Sequence, residues 1–227
     1  MNPIQICLYQ LTNLLSYVGP FLFVNRILPL LKKSAATGAD VRIISVGSSA
    51  HRDMLPTNFK FQFDTPEALA RPVASYPWQW RYIGRFVFGF DMIRYSVAKA
   101  AVVLFVQDLQ RRLDEQGIPI LSIVVHPGEV ATEGVMTSNT APIRVVARLS
   151  FITPEQGAVS PLFVATATEV RQEPNKYKGK YVEPIGVVKA PNPVAEDQAQ
   201  VKGLWENTTR ELDKYLAAEH LPALQAW

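Results

Sequence analysis

Residues Ile118 to Val125 read IPILSIVV, an almost wholly apolar run set between Gly117 and His126-Pro127-Gly128. A strand apolar on both sides of its pleat has to be covered on both faces, which places it inside a parallel sheet. A second short β-branched run, Val41-Arg42-Ile43-Ile44-Ser45-Val46, follows a Gly-Ala-Asp turn. Between the two lies a stretch from about Met92 to Gln116 with Val97, Ala101, Leu104, Phe105, Leu109 and Leu113 among its apolar residues. That stretch predicts a helix that Gly117 terminates. Two buried strands joined by a helix are the unit of a parallel sheet.

The alternation continues on either side. Phe21 to Lys33 has helical spacing and ends in Lys32-Lys33, cations that suit a helix C-terminus. Thr153 is placed to cap a helix running to about Thr168, with Pro154-Glu155-Gln156 in its first turn. Lys180-Tyr181-Val182 reads as a short strand after Gly179, and about Ala195 to Ala218 as an amphipathic helix. The order helix, strand, helix, strand, helix, strand, helix predicts an α/β fold, a doubly wound parallel sheet with helices on its faces. Ligands in such sheets sit beyond the carboxyl ends of the strands. The informative residues should follow Val46 and Val125.

A chain of 227 residues suffices for one domain with a sizeable core. Its 48% hydrophobic and 19% charged residues exclude extensive disorder. The 23 basic residues exceed the 20 acidic ones by only three, with no concentrated stripe, so nucleic acid is not an expected partner. A single cysteine, Cys7, excludes an internal disulfide and fits a reducing, cytoplasmic setting; with three scattered histidines it gives no metal cluster. Residues 4–31 are apolar, but Gln5, Gln10, Thr12, Asn13, Ser16, Pro20 and Arg26 interrupt them. A buried or interface helix is the expectation there, with membrane association the alternative. Residues 52–94 hold prolines 56, 66, 72 and 77 and ten aromatics from Phe59 to Phe90. Those aromatics fit packing of an insertion onto the domain better than an apolar substrate wall, and the run from Arg81 to Phe88 could touch a membrane surface.

Just after the first strand stand Gly47-Ser48-Ser49, and Tyr95-Ser96-Val97-Ala98-Lys99 opens the long helix. A four-residue step puts Tyr95 and Lys99 on one helical face. A free phenol has a pKa near ~10, too high for a base at neutral pH, and a nearby ammonium lowers it. Tyr95 could then exchange a proton with a substrate oxygen that a serine hydroxyl orients. Taken alone, Tyr-x-x-x-Lys on a helix is common by chance.

The surrounding segments make it specific. Gly19 to Leu31, Arg42 to Arg52, Tyr95 to Ala101, His126 to Thr132 and Thr153 to Ala158 together resemble, in order, the short-chain dehydrogenase/reductase family, and within it the retinol-dehydrogenase-like branch. The resemblance covers roughly residues 13–216. It implies Ser48, Tyr95 and Lys99 as catalytic residues, with Lys99 also bonding the nicotinamide ribose. It implies that Pro127, Gly128 and Thr132 border the nicotinamide. The implied reaction is NAD(P)-dependent hydride transfer to or from a lipophilic alcohol or ketone, with NADP ahead of NAD. It further implies a homodimer through the helices near 17–33 and 92–116; His126 is expected to serve packing or strand-end hydrogen bonding, and His51 to be structural.

Several departures accompany these matches. Gly-x-x-x-Gly-x-Gly occurs nowhere in the chain, and Ser16 stands where the family has its fourth-helix asparagine. The expectation is therefore a single, N-terminally incomplete Rossmann-type domain over 1–227 that keeps strands 5, 6 and 7 of the family order. One side of the strand at 41–46 would then be an unpaired edge. A non-catalytic remnant or dimerising module is the competing reading.

Overall fold

The computed structural model describes residues 14–56, 58–65, 67, 69, 73, 88 and 90–227. A π-helical turn at Leu14–Val18 leads into α1 (Gly19–Ala36), which ends before Gly38 at φ +84°, a conformation glycine adopts without strain. Then come β1 (Arg42–Val46) and the short α2 (Ala50–Asp53). The long α3 (Met92–Glu115) follows, and Asp91 caps it by accepting a 3.0 Å bond from Arg94 N. β2 (Leu121–Val125) is buried at every position, as its apolar run requires.

The second half is more broken than its sequence pattern suggests. It holds α4 (Glu133–Ser138), α5 (Ala141–Ser150), α6 (Pro154–Thr166), α7 (Thr168–Gln172) and α8 (Pro174–Tyr177). β3 (Tyr181–Glu183), β4 (Val187–Lys189), a 3-10 turn at Pro193–Glu196 and α9 (Gln198–Ala218) complete it. The cap expected at Thr153 is present as a full capping box: Gln156 N donates to Thr153 Oγ1 and Thr153 N to Gln156 Oε1.

The sheet order is β1-β2-β3-β4. β1, β2 and β3 run parallel, as the alternation predicted, and β4 pairs antiparallel to β3. β4, three residues long with an exposed, intermediate, exposed burial pattern, was not read from the sequence. Helices α1, α3 and α9 lie over one face with a core that includes Phe21, Val97, Phe105, Val124, Tyr181 and Leu204. The other face is covered by α6 to α8 through Ile123, Val125, Val164, Val170, Tyr177 and Val182.

Among the described residues no strand pairs with the outer side of β1. A cavity of about 460 Å³ runs there, bordered by Ser16, Phe23 and Ile27 on the helical side and by Val46 and Lys99 on the other. Much of the 52–94 segment, including Tyr76, Trp78, Trp80, Tyr82 and Phe86, lies outside the described residues, as does most of the Arg81–Phe88 run. Phe59, Phe61 and Phe63 are described; they stack on one another and pack with the main core, in line with the packing expectation. Residues 1–13 are also outside. Among the described residues no helix is long and apolar enough to cross a membrane.

Trp205 on α9 anchors the helical layer. Its ring lies 5.0 Å from Phe21 and 4.6 Å from Trp227, centre to centre, and the Arg112 guanidinium sits 4.0 Å over it. Arg112 is also held by the buried Asp108 at 2.9 Å. Removing the indole leaves a cavity and strands that guanidinium. Trp205→Ala should therefore lower unfolding free energy by about 3–5 kcal/mol in urea titrations. Tyr215→Ala, at an exposed position on the same helix, should cost no more than about 0.5 kcal/mol.

Candidate active site

β1 and β2 pair in register from Arg42↔Leu121 to Val46↔Val125, and Gly47 N extends the ladder by donating to Val125 O at 2.8 Å. A Cβ on Gly47 would come within 2.7 Å of Val124 Cγ2, so the close approach of the two strand ends needs glycine here. The chain leaves the sheet at Ser48. Ser48 Oγ accepts from Ala50 N at 3.2 Å, which starts α2.

α3 enters from the other side. Tyr95 lies in its first turn, and its phenol comes near enough to Ser48 for that side chain to act on its pKa. Lys99, one turn on, donates from Nζ to Val46 O at 2.9 Å, and Nζ lies 5.7 Å from the centre of the Tyr95 ring. The fold thus brings together Ser48, Tyr95 and Lys99, although 47 positions separate the first two.

The electrostatics differ from the sequence expectation. Burial pushes the Tyr95 phenol above its ordinary pKa; the nearby Ser48 side chain pulls it partly back, and the Glu129 charge pushes it up again. Burial also pushes the Lys99 ammonium below its ordinary value. Burial, Ser48 and Glu129 together set the direction at Tyr95. The Lys99 ammonium is turned to the end of β1, where it donates to Val46 O.

Pro127 and Gly128 follow β2, and Gly128 takes φ +96°. That conformation, with Ile152 Cδ1 3.1 Å from where a Cβ would stand, restricts the position to glycine. Thr132 caps α4, its Oγ1 accepting from Val135 N at 3.2 Å. Its hydroxyl is engaged in starting a helix, a role the sequence reading did not give it.

Glu129 is a residue that reading missed. Its Oε1 lies 3.5 Å from Ser49 Oγ and 3.6 Å from His126 Nε2. The His126 imidazole beside it is the main reason its carboxyl sits below the ordinary range. The available signal was a His and a Glu three positions apart directly after a strand. His51 is wholly buried; its Nδ1 donates to Ser48 O at 2.5 Å, and its ring lies edge-on to Tyr181. Burial keeps the imidazole pKa below normal, so it stays neutral and braces the Ser48 loop.

The donor set fits the nicotinamide-riboside end of a dinucleotide. The Lys99 ammonium has three N–H groups and gives one to Val46 O. The Pro127-Gly128 turn offers backbone close to it in the sheet order, with no Cβ at residue 128. A glycine-rich phosphate cradle is not encoded in these 227 residues.

No protein-family model matches the chain. A short chain dehydrogenase/reductase of Macrophomina phaseolina is 37% identical over 149 residues, covering 66% of this chain and 70% of that protein. Another from Colletotrichum higginsianum is 34% identical over 214 residues, 94% of this chain and 51% of that one. Mouse polyprenol dehydrogenase is 28% identical over 201 residues, 86% of this chain and 51% of the mouse protein. Among solved structures, an uncharacterized protein from Mycobacterium paratuberculosis has a TM-score of 0.52 at 22% identity, covering 86% of this chain and 56% of that one; it supports the fold alone. The chain belongs to the short-chain dehydrogenase/reductase family. It spans about half the length of several curated relatives it matches.

Burial also raises the phenols of Tyr17 and Tyr181. A phenol with a raised folded-state pKa adds stability that is complete below the unfolded pKa of ~10 and is lost as pH climbs above it, because the unfolded chain gives up those protons first. Stability should fall steeply from the ordinary tyrosine range upward. Tyr181→Phe should flatten that fall, as followed by phenolate absorbance and far-UV circular dichroism during alkaline titration.

Proposed function

We propose that the chain carries the proton-transfer side of an NAD(P)-dependent oxidoreductase site acting on a lipophilic alcohol or ketone. The observation that carries this reading is the approach of the Tyr95 phenol to the Ser48 side chain at the carboxyl end of β1, with Lys99 one helical turn away. Family membership supports it, and so does the name of the mouse relative, a polyprenol dehydrogenase.

Ser48 and Tyr95 present two hydroxyls to one small volume. A carbonyl oxygen placed between them would accept a hydrogen bond from Ser48 and the phenolic proton of Tyr95. Because burial keeps that phenol protonated, the arrangement favours Tyr95 as the acid, which is the direction of carbonyl reduction. Lys99 would hold the ribose hydroxyls with the N–H groups it does not give to Val46, and Pro127 and Gly128 would flank the nicotinamide. The nicotinamide, when bound, supplies or accepts the hydride. The substrate's apolar part and the choice of NADP over NAD belong to the same proposal, as does a homodimer through α1 and α3.

A second reading, a non-catalytic module, is favoured by one observation: the sequence contains no Gly-x-x-x-Gly-x-Gly turn. Such a turn supplies several charge-assisted bonds to the phosphates. Titration with NADPH and NADH separates the two readings. The enzyme reading expects enhanced nucleotide fluorescence and a raised melting temperature. It further expects Tyr95→Phe to retain nucleotide binding while losing about 10²–10⁴-fold in turnover of an apolar ketone. If neither nucleotide binds, the module reading stands.

A further inference from the structure

Residues 132–151 leave the site as a closed excursion. Ala131 N donates to Ile152 O and Ile152 N to Glu129 O, both at 2.9 Å, and Val130 and Ile152 form an isolated parallel bridge. Both ends are thus pinned beside Gly128. The excursion carries α4 and α5, and in α5 Ala147 is the one residue fully buried.

On a helix turning about 100° per residue, Pro142, Val145, Val146 and Leu149 share one side. All four are exposed, Leu149 at 83% and Val145 at 56%. Arg148 borders this stripe on the Val145 side, and Arg144, one turn before it, lies further round toward the buried Ala147 with its side chain exposed. From Gly134 to Pro154 they are the only charged residues in the sequence. Among the described residues neither forms an ion pair.

An exposed apolar stripe with a purely cationic flank is complementary to a lipid surface bearing anionic headgroups. A second copy of the chain suits it less well. Pairing α5 with itself about a twofold axis would bring arginine toward arginine with no carboxylate on either helix. We infer that α5 docks the protein on an anionic lipid surface, with Val145, Val146 and Leu149 entering the headgroup boundary and Arg144 and Arg148 meeting the phosphates. Because the excursion is pinned beside Gly128, docking sets the mouth of the candidate site at the lipid. That a lipophilic substrate enters from the lipid phase rests on the oxidoreductase proposal; the docking itself does not.

The test is co-sedimentation of the full chain with phosphatidylcholine vesicles, with and without phosphatidylserine. The wild type should bind, and more strongly with phosphatidylserine. Leu149→Glu and Val145→Glu should each weaken binding about tenfold or more. Arg144→Gln with Arg148→Gln should abolish the preference for phosphatidylserine and its salt sensitivity. Melting temperatures should be unchanged, since these side chains are exposed; if Leu149→Glu lowers the melting temperature, Leu149→Ser serves for the same comparison. Absence of wild-type binding, or binding that the Leu149 and Val145 variants leave intact, overturns the inference. So does a vesicle-free dimer that Leu149→Glu dissociates, which would make the stripe a protein interface. NADPH titration of the same samples reads the oxidoreductase proposal separately, so either can fail while the other stands.

Discussion

The parallel pairing of β1 with β2 is the constraint on which the rest depends. Its register, carried one residue past the strands by Gly47, sets Ser48 beside the start of the His126-Pro127-Gly128 turn. The crossover helix α3 must then return across one face of the sheet, and its first turn delivers Tyr95 to the same edge. A side chain at residue 47 would push Val124 away and open the pairing at the point where the site forms.

Burial does two opposed things there. It supports the fold, since the strand ends are packed between helices on both faces. It also penalises every charge, so the Tyr95 phenol rises and the Lys99 ammonium falls. The carboxylate of Glu129 lies outside that pair and largely exposed, 3.6 Å from His126 Nε2. The site is therefore a neutral hydroxyl pair with charges at its border, a different balance from the lysine-activated phenolate that the residue pattern alone suggested.

The two faces of the molecule differ in how they are closed. The layer of α1, α3 and α9 is sealed by aromatic rings, with Trp227 wedged against Phe21 and Trp205 and residue Gln225 bonded both ways to Asn25. On the other side, α5 stands off the body and leaves an apolar stripe in water. Exposed apolar side chains also stand on α1, at Phe23 and Leu30, but on α5 three of them share one side of a single short helix.

Periodicity was enough for the three parallel strands, the long helix, the Thr153 cap and the positions after Val46 and Val125 where chemistry should lie. Those features depend on near neighbours in the chain, and local spacing encodes them. Ser48, Tyr95 and Lys99 were named by the resemblance to the family; the pattern alone marked only the strand end before Ser48 and the four-residue step from Tyr95 to Lys99. The broken helices from Glu133 to Tyr177 and the capping role of Thr132 were not legible, because their segments are too short to carry a period; strand β4 was not read either. The raised phenol of Tyr95, the lowered ammonium of Lys99 and the part played by Glu129 depend on desolvation and on charges from distant segments. Such energies exist only once the chain has closed around them, and no reading of spacing could supply their sign.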